Sequence, residues 1–272
     1  MNTIRAWRAV APLALLAFSA LSNAQLVDTR SDTNEATSNF VMDGTIGANE
    51  YGAGNSQSYF GAGSGFGGTL GAGGLYMDYD ANNLNLGFAP GGALNDNVVI
   101  LIDSRSGGFT DAQMDDQGDP GRNLSSNLTR DVDDQFFSSF LPDYSVVIGQ
   151  FGIVVFELTS GQLNFLQYDG TFTGNGTIAR EIAINRASLS LGAANSGFDF
   201  IVGYGSDTNY MSNESLPGQD FNSGANLGFD NNGTGSPVMW NHYDHFDAVP
   251  EPASMAALAV GILALAKKRR AR

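Results

Sequence analysis

Residues 75–88 read LYMDYDANNLNLGF. Leu84, Leu86 and Phe88 alternate with Asn83, Asn85 and Gly87, a period of two that sets the apolar side chains on one face of a strand. The Asp-Ala-Asn stretch at 80–82 favours a turn, so these residues predict a hairpin with one buried face. Val98 to Asp103, VVILID, is apolar nearly throughout and predicts a central strand covered on both sides. Further strand patterns flank it: Tyr144–Ile148, Ile153–Leu158, Gln162–Tyr168, Arg180–Ile184 and Phe198–Tyr204, with a helical turn over Arg186–Leu191. Phe136, Phe137, Phe140 and Leu141 fall at helical spacing behind acidic residues and predict a short helix over Asp133–Leu141, stopped by Pro142. Ser104–Arg130 reads as a long exposed excursion. Gly47–Gly74 is glycine-rich with Tyr51, Tyr59, Phe60, Phe66 and Leu70 interspersed, a pattern of short strands and turns. No long amphipathic helix alternates with the strands, which disfavours an α/β architecture. The expectation is an all-β chain: an antiparallel β-sandwich over residues 40–247 with long loops and one or two short helices, preceded by a loose polar segment at 25–39.

Composition narrows the classes of function. Cysteine is absent from the 272 residues, which removes disulfides, thiolate metal sites and a cysteine nucleophile. The 35 glycines, with abundant Asn, Asp and Ser, call for many turns. Between Gln25 and Val249 there are 6 basic and 27 acidic residues and no lysine, a formal charge of about −21. Such a field repels nucleic acid and anionic membrane surfaces, so no nucleic-acid partner is expected.

The two ends carry addresses rather than fold. Arg5 and Arg8 precede an apolar run from Val10 to Leu21, and the small residues Ser22 and Ala24 suit cleavage by signal peptidase before Gln25, so residues 1–24 read as a signal peptide. At the other end Val249-Pro250-Glu251-Pro252 precedes an uncharged run from Ala253 to Ala266, then Lys267, Lys268, Arg269, Arg270 and Arg272. Fourteen residues make a helix of about 21 Å, short of the roughly 20 residues a comfortable span prefers. The one-sided basic cluster orients such a helix with its end in the cytoplasm and the body outside. In these three ordered parts, residues 249–272 resemble the PEP-CTERM sorting signal of Gram-negative bacteria. That resemblance implies transient arrest in the inner membrane, recognition near Pro250-Glu251-Pro252 by an exosortase-type processing enzyme, and delivery to the cell surface, outer envelope or extracellular matrix.

The body resembles a second group. The order LYMDYD, NVVILID, a long polar loop, DYSVVIG, REIAINRASL and FDFIVGYGSD is similar to the β-sandwich of family 9 carbohydrate-binding modules and DOMON-type domains. The paired exposed tryptophans by which such modules grip sugars have no match, since Trp240 is the body's only tryptophan. No His or Met can be placed as an axial haem ligand either.

Candidate chemistry is sparse. Asp111, Asp115, Asp116 and Asp119 beside Gly118 supply the oxygen ligands that calcium prefers, without the spacing of an EF-hand; a solvated loop is the competing reading. Asp131, Asp133 and Asp134 read as a helix N-terminal feature. His242 and His245 stand three apart among Asp residues without a third ligand, where a zinc site needs at least three. Trp240 and Tyr243, with Phe246, form either a sugar-stacking face or the packing of a final strand. No G-x-S-x-G elbow and no P-loop occurs. No resident cofactor is expected, calcium being the one candidate. The sequence therefore points to an exported, non-enzymatic envelope or matrix protein that binds polysaccharide. The alternatives are a secreted hydrolase of extracellular polysaccharide, for which converging carboxylates in a cleft would be the sign, and a calcium-dependent self-associating matrix protein.

Overall fold

The alternating residues around Leu84 form a strand, and the strands on either side follow in close order. In the computed structural model the described residues are 26–31, 39–55, 58–109, 118–129, 140–159, 161–192, 197–208, 210–229, 240–247 and 262. In chain order the strands are β1 (Leu26–Ser31), β2 (Ser58–Phe60), β3 (Gly74–Tyr79), β4 (Asn83–Ala89) and β5 (Asn97–Asp103). Helix α1 (Pro120–Thr129) comes next, then β6 (Tyr144–Gly149), β7 (Gly152–Glu157), β8 (Asn164–Asp169) and β9 (Arg180–Asn185). The last four are β10 (Phe198–Gly205), β11 (Tyr210–Leu216), β12 (Gly228–Phe229) and β13 (His242–Asp247).

Two sheets result. The smaller runs β2-β3-β4-β9, all antiparallel. The larger runs β1-β13-β10-β5-β6-β7-β8, with β11 sharing an edge of β10 with β13 and carrying β12 beyond it. It is antiparallel except where β1 lies parallel to β13, Leu26 opposite His242 and Ser31 opposite Asp247. Leu26–Ser31, expected as loose polar chain, is thus an edge strand.

The central strand behaves as its composition requires. Val98, Ile100 and Ile102 of β5 point into an inner core that they share with Leu84, Leu86 and Phe88 of β4, Ile182 and Ile184 of β9, and Phe200 and Val202 of β10. Val99 and Leu101 point the other way, into an outer core with Val147, Phe156, Ile201 and Leu124 of α1. The inner core joins both sheets; the outer core belongs to the larger sheet and whatever covers it.

Helix α1 corrects the expectation of an exposed excursion over Ser104–Arg130. Asp119 caps it: its Oδ1 accepts from Arg122 N–H at 2.9 Å, and its carbonyl accepts from Asn123 N–H at 2.8 Å. Pro120 sits at the first helical position, where its missing donor costs nothing. Leu124 and Ser125 are then fully buried, and the hydroxyls of Ser125 and Ser145 on β6 lie 2.6 Å apart. Of the helix expected over Asp133–Leu141, only Phe140 and Leu141 fall among the described residues, and neither is helical. The turn expected over Arg186–Leu191 is a 3-10 helix at Arg186–Leu189, capped by Asn185.

The glycine-rich segment is held by buried acids. Glu214 of β11 accepts four backbone N–H groups, from Phe66 and Gly68 on Oε1 and from Leu70 and Gly71 on Oε2, at 2.7–3.1 Å. Its neighbour Asn213 accepts from Ser64 and Gly65. Backbone meets backbone so closely here that a Cβ on Gly71 would stand 2.0 Å from the carbonyl oxygen of Gly63. Residues 39–55 are tied to the smaller sheet in the same way. Glu181 of β9 accepts from the backbone of Asp43 and Gly44 and from the Tyr51 hydroxyl, and Glu50 accepts from Val41 and Gly47. Burial holds the carboxyl of Glu181 above its usual range and, with the Glu181 charge beside it, pushes the Tyr51 hydroxyl far up.

Candidate functional site

The outer face of the larger sheet is closed at one end and open at the other. At the closed end Trp240, Tyr243, Phe140 and Leu124 fill the outer core. Among the described residues that covering stops towards β7 and β8, and a groove of about 340 Å³ lies between the start of α1 and the sheet, lined by Phe151, Val154, Phe156, Phe165, Arg122 and Asp207 together with Asp119 and Gly121. Phe165 is 56% exposed and presents its ring to solvent. Beside it Tyr168, also exposed, is anchored by its hydroxyl donating to the Phe151 carbonyl at 2.7 Å. Arg122 lies with its guanidinium 5.1 Å from the centre of the Phe156 ring, paired with Asp119 at 3.1 Å and donating to the Leu163 carbonyl at 2.9 Å. Asp207 accepts from the Asn97 side chain at 2.6 Å. Ring faces bracketed by fixed polar groups suit an amphipathic ligand.

A second, polar cleft of about 210 Å³ opens at one end of the same sheet. Strand register builds it: Asp103 of β5 stands opposite Asp199 of β10, and Asp199 stands opposite His245 of β13. His245 Nδ1 and Asp199 Oδ1 are 2.5 Å apart. Burial pushes the carboxyl of Asp103 up to about 7, against the lowering effect of its hydrogen bond from Leu141 N–H; the charges of Asp143 and Asp199 add to the rise. Arg105, on the rim, is bound at 3.0 Å to the buried Asp143 and at 3.0 Å to Glu157. The Ser104 hydroxyl donates to the Leu189 carbonyl at 2.7 Å.

The residues singled out from sequence fall as follows. Asp119 caps α1 and pairs with Arg122; Asp111, Asp115 and Asp116 lie outside the described residues, as do Asp131, Asp133 and Asp134. Among the described residues no three His, Asp or Glu side chains are grouped to hold a metal ion. His242 and His245 cannot act together, because residues three apart on a strand face opposite ways: Tyr243, on the His245 side, enters the outer core and Phe246, on the His242 side, the inner one. The stacking face expected of Trp240 and Tyr243 is corrected by burial. Trp240 is 1% exposed and meets Phe221 edge-on at 5.3 Å; Tyr243 stacks on Phe140 at 5.8 Å. Neither offers a ring face to a ligand. Phe151, Phe156 and Phe165 were not singled out, although Phe165 in the polar run of β8 was the available signal. Asp103 and Asp199 stood at strand ends, and only the register brings them together.

Val249, Pro250, Glu251, Pro252, Lys267, Lys268, Arg269 and Arg270 lie outside the described residues; among those described, no helix is long and apolar enough to cross a membrane. Residues 248–270 match the family model of the PEP-CTERM protein-sorting motif. The chain thus carries the mark of a protein exported and sorted to the cell surface through an exosortase-type processing enzyme. No curated protein and no solved structure matches it. The motif begins directly after β13 and gives the destination of the chain.

Proposed function

We propose that the chain is an exported, non-enzymatic envelope or matrix protein whose sandwich binds polysaccharide through the groove over β7 and β8. The observation that carries this reading is the exposed ring of Phe165, set with Phe151 and Phe156 between the charged groups of Asp119, Arg122 and Asp207. Sugar rings have apolar C–H faces and hydroxyl edges, and the groove offers partners to both. The test is titration of the detergent-solubilised full-length chain with polysaccharide from the bacterium that makes it. Binding weakened about tenfold or more by Phe165→Ala is expected; isotherms that are flat, or identical for parent and variant, would remove the reading.

The cleft favours a second reading, a hydrolase of the same polymers. A protonated Asp103 would give its proton to a leaving oxygen, while His245, oriented by Asp199, would take one from the attacking water. Release of new reducing ends by the parent, abolished in Asp199→Asn and Asp103→Asn, would establish it. Intact polymer after prolonged incubation would leave the binding reading alone.

A further inference from the structure

The groove also carries information about which polysaccharide it takes. Its cation is already committed: Arg122 is paired with Asp119, hydrogen-bonded to the Leu163 carbonyl and laid over the Phe156 ring. Asp207, also in the lining, accepts from the neutral amide of Asn97. Among the described residues the lining thus holds two carboxylates against one guanidinium, on a body of formal charge about −21 without a lysine. The same negative field reaches Asp96, whose carboxyl is raised first by burial and then by the charge of Asp207.

We propose that the groove selects uncharged polysaccharide and rejects polyanionic chains, an inference that rests on the polysaccharide-binding reading above. A uronate or sulfate group seated here would lie within a Debye length of about 8–10 Å from both carboxylates, with no guanidinium besides the committed Arg122 among the described lining residues to meet it. A neutral sugar meets no such barrier. Its C–H face packs on Phe165 and Phe151, and its hydroxyls donate to Asp119 and Asp207, the charge-assisted arrangement that hydrogen bonds favour.

The experiment compares dextran and a neutral mannan with alginate and hyaluronan as titrants of the full-length chain, at low salt and at about 0.5 M salt. Neutral chains should bind with an affinity that salt changes by less than about twofold, and anionic chains at least about tenfold more weakly at low salt. The double variant Asp119→Asn, Asp207→Asn keeps a helix cap, since asparagine serves at that position as well as aspartate. It should bring alginate to within about threefold of the neutral chains. Alginate or hyaluronan binding as tightly as dextran in the parent, or an unchanged preference in the double variant, overturns the proposal while leaving polysaccharide binding intact. If Phe165→Ala alters binding of none of the four polymers, the parent reading falls with it.

Discussion

The chain covers its sheets in two unlike ways. Over the larger sheet the cover is apolar: Leu124 of α1, Phe140 and Trp240 fill a second core against Val99, Leu101 and Tyr243 of the sheet. Residues 39–74 are covered ground of another sort, because a glycine-rich segment has few side chains to bury and must be fixed through its backbone. Buried acceptors serve that purpose, Glu214 and Glu181 from the sheets and Glu50 from within the segment, each receiving at least two N–H groups. Where side chains do the covering, the cover ends when they run out, as it does at the groove beside Phe165. Where carboxylates do it, each anchor is a single point on which a whole loop depends.

Replacing one such anchor should therefore have the largest effect. Glu214→Ala strands four backbone N–H groups that have no apolar alternative, and stability should fall by about 4 kcal/mol or more. Glu214→Gln should be nearly as damaging, since its NH₂ faces two of the same donors. Urea titration of the full-length variants measures both. A loss below about 1 kcal/mol would mean that the loop is held by something other than this carboxylate.

The apolar cover should be less brittle. Trp240→Ala removes the largest fully buried side chain among the described residues, with its Phe221 contact, and should cost about 3–4 kcal/mol. The damage should stay local, with Trp240→Phe recovering more than half of the loss. If Trp240→Ala instead matches Glu214→Ala and Trp240→Phe recovers nothing, the contrast between the two covers disappears.

These two regions also differ in how far the amino-acid sequence exposes them. Alternation in 84–88 and the unbroken apolar run of 98–102 identify β4 and β5 because hydropathy measures burial against apolar neighbours. β11 reads YMSNESL and escapes that measure, since Ser212, Asn213, Glu214 and Ser215 are buried to hydrogen-bond rather than to leave water. Helix α1 has few apolar residues, and its usable signal was the pair Asp119-Pro120, a cap followed by proline at the first position. The candidate sites were less legible still. Asp103, Asp199 and His245 are far apart in sequence, and the register of three strands unites them. Trp240 drew notice as an aromatic residue, whereas the exposed ring belongs to Phe165.

A smaller effect separates the buried anchoring acids from Asp103, a half-buried acid that accepts a backbone N–H from Leu141. Asp103 titrates near 7 in the fold against an ordinary value of 3.8, so the folded chain holds this proton more tightly than the unfolded one. Its contribution is fully present below about 3.8 and is lost as pH rises through about 7. Asp103→Asn keeps an oxygen for Leu141 N–H and has no charge to bury. Relative to the parent, its urea midpoint should rise between pH 5 and pH 8. A difference that stays constant over that interval would show that Asp103 is not held protonated by the fold.

The smallest expected change is also the one that marks the edge of the apolar cover. Phe165 lies more than half exposed on β8, an edge strand of the larger sheet, and belongs to neither core. Truncating it should change stability by no more than about 0.5 kcal/mol, as at other exposed positions. Phe156, its neighbour across the β7–β8 pairing, is 2% exposed and belongs to the outer core, so Phe156→Ala should cost about 3 kcal/mol. The two substitutions remove the same ring from adjacent strands, and their difference in urea midpoint locates where packing gives way to an open surface. Equal losses would mean that Phe165 is covered in solution, and the groove would then be part of the core.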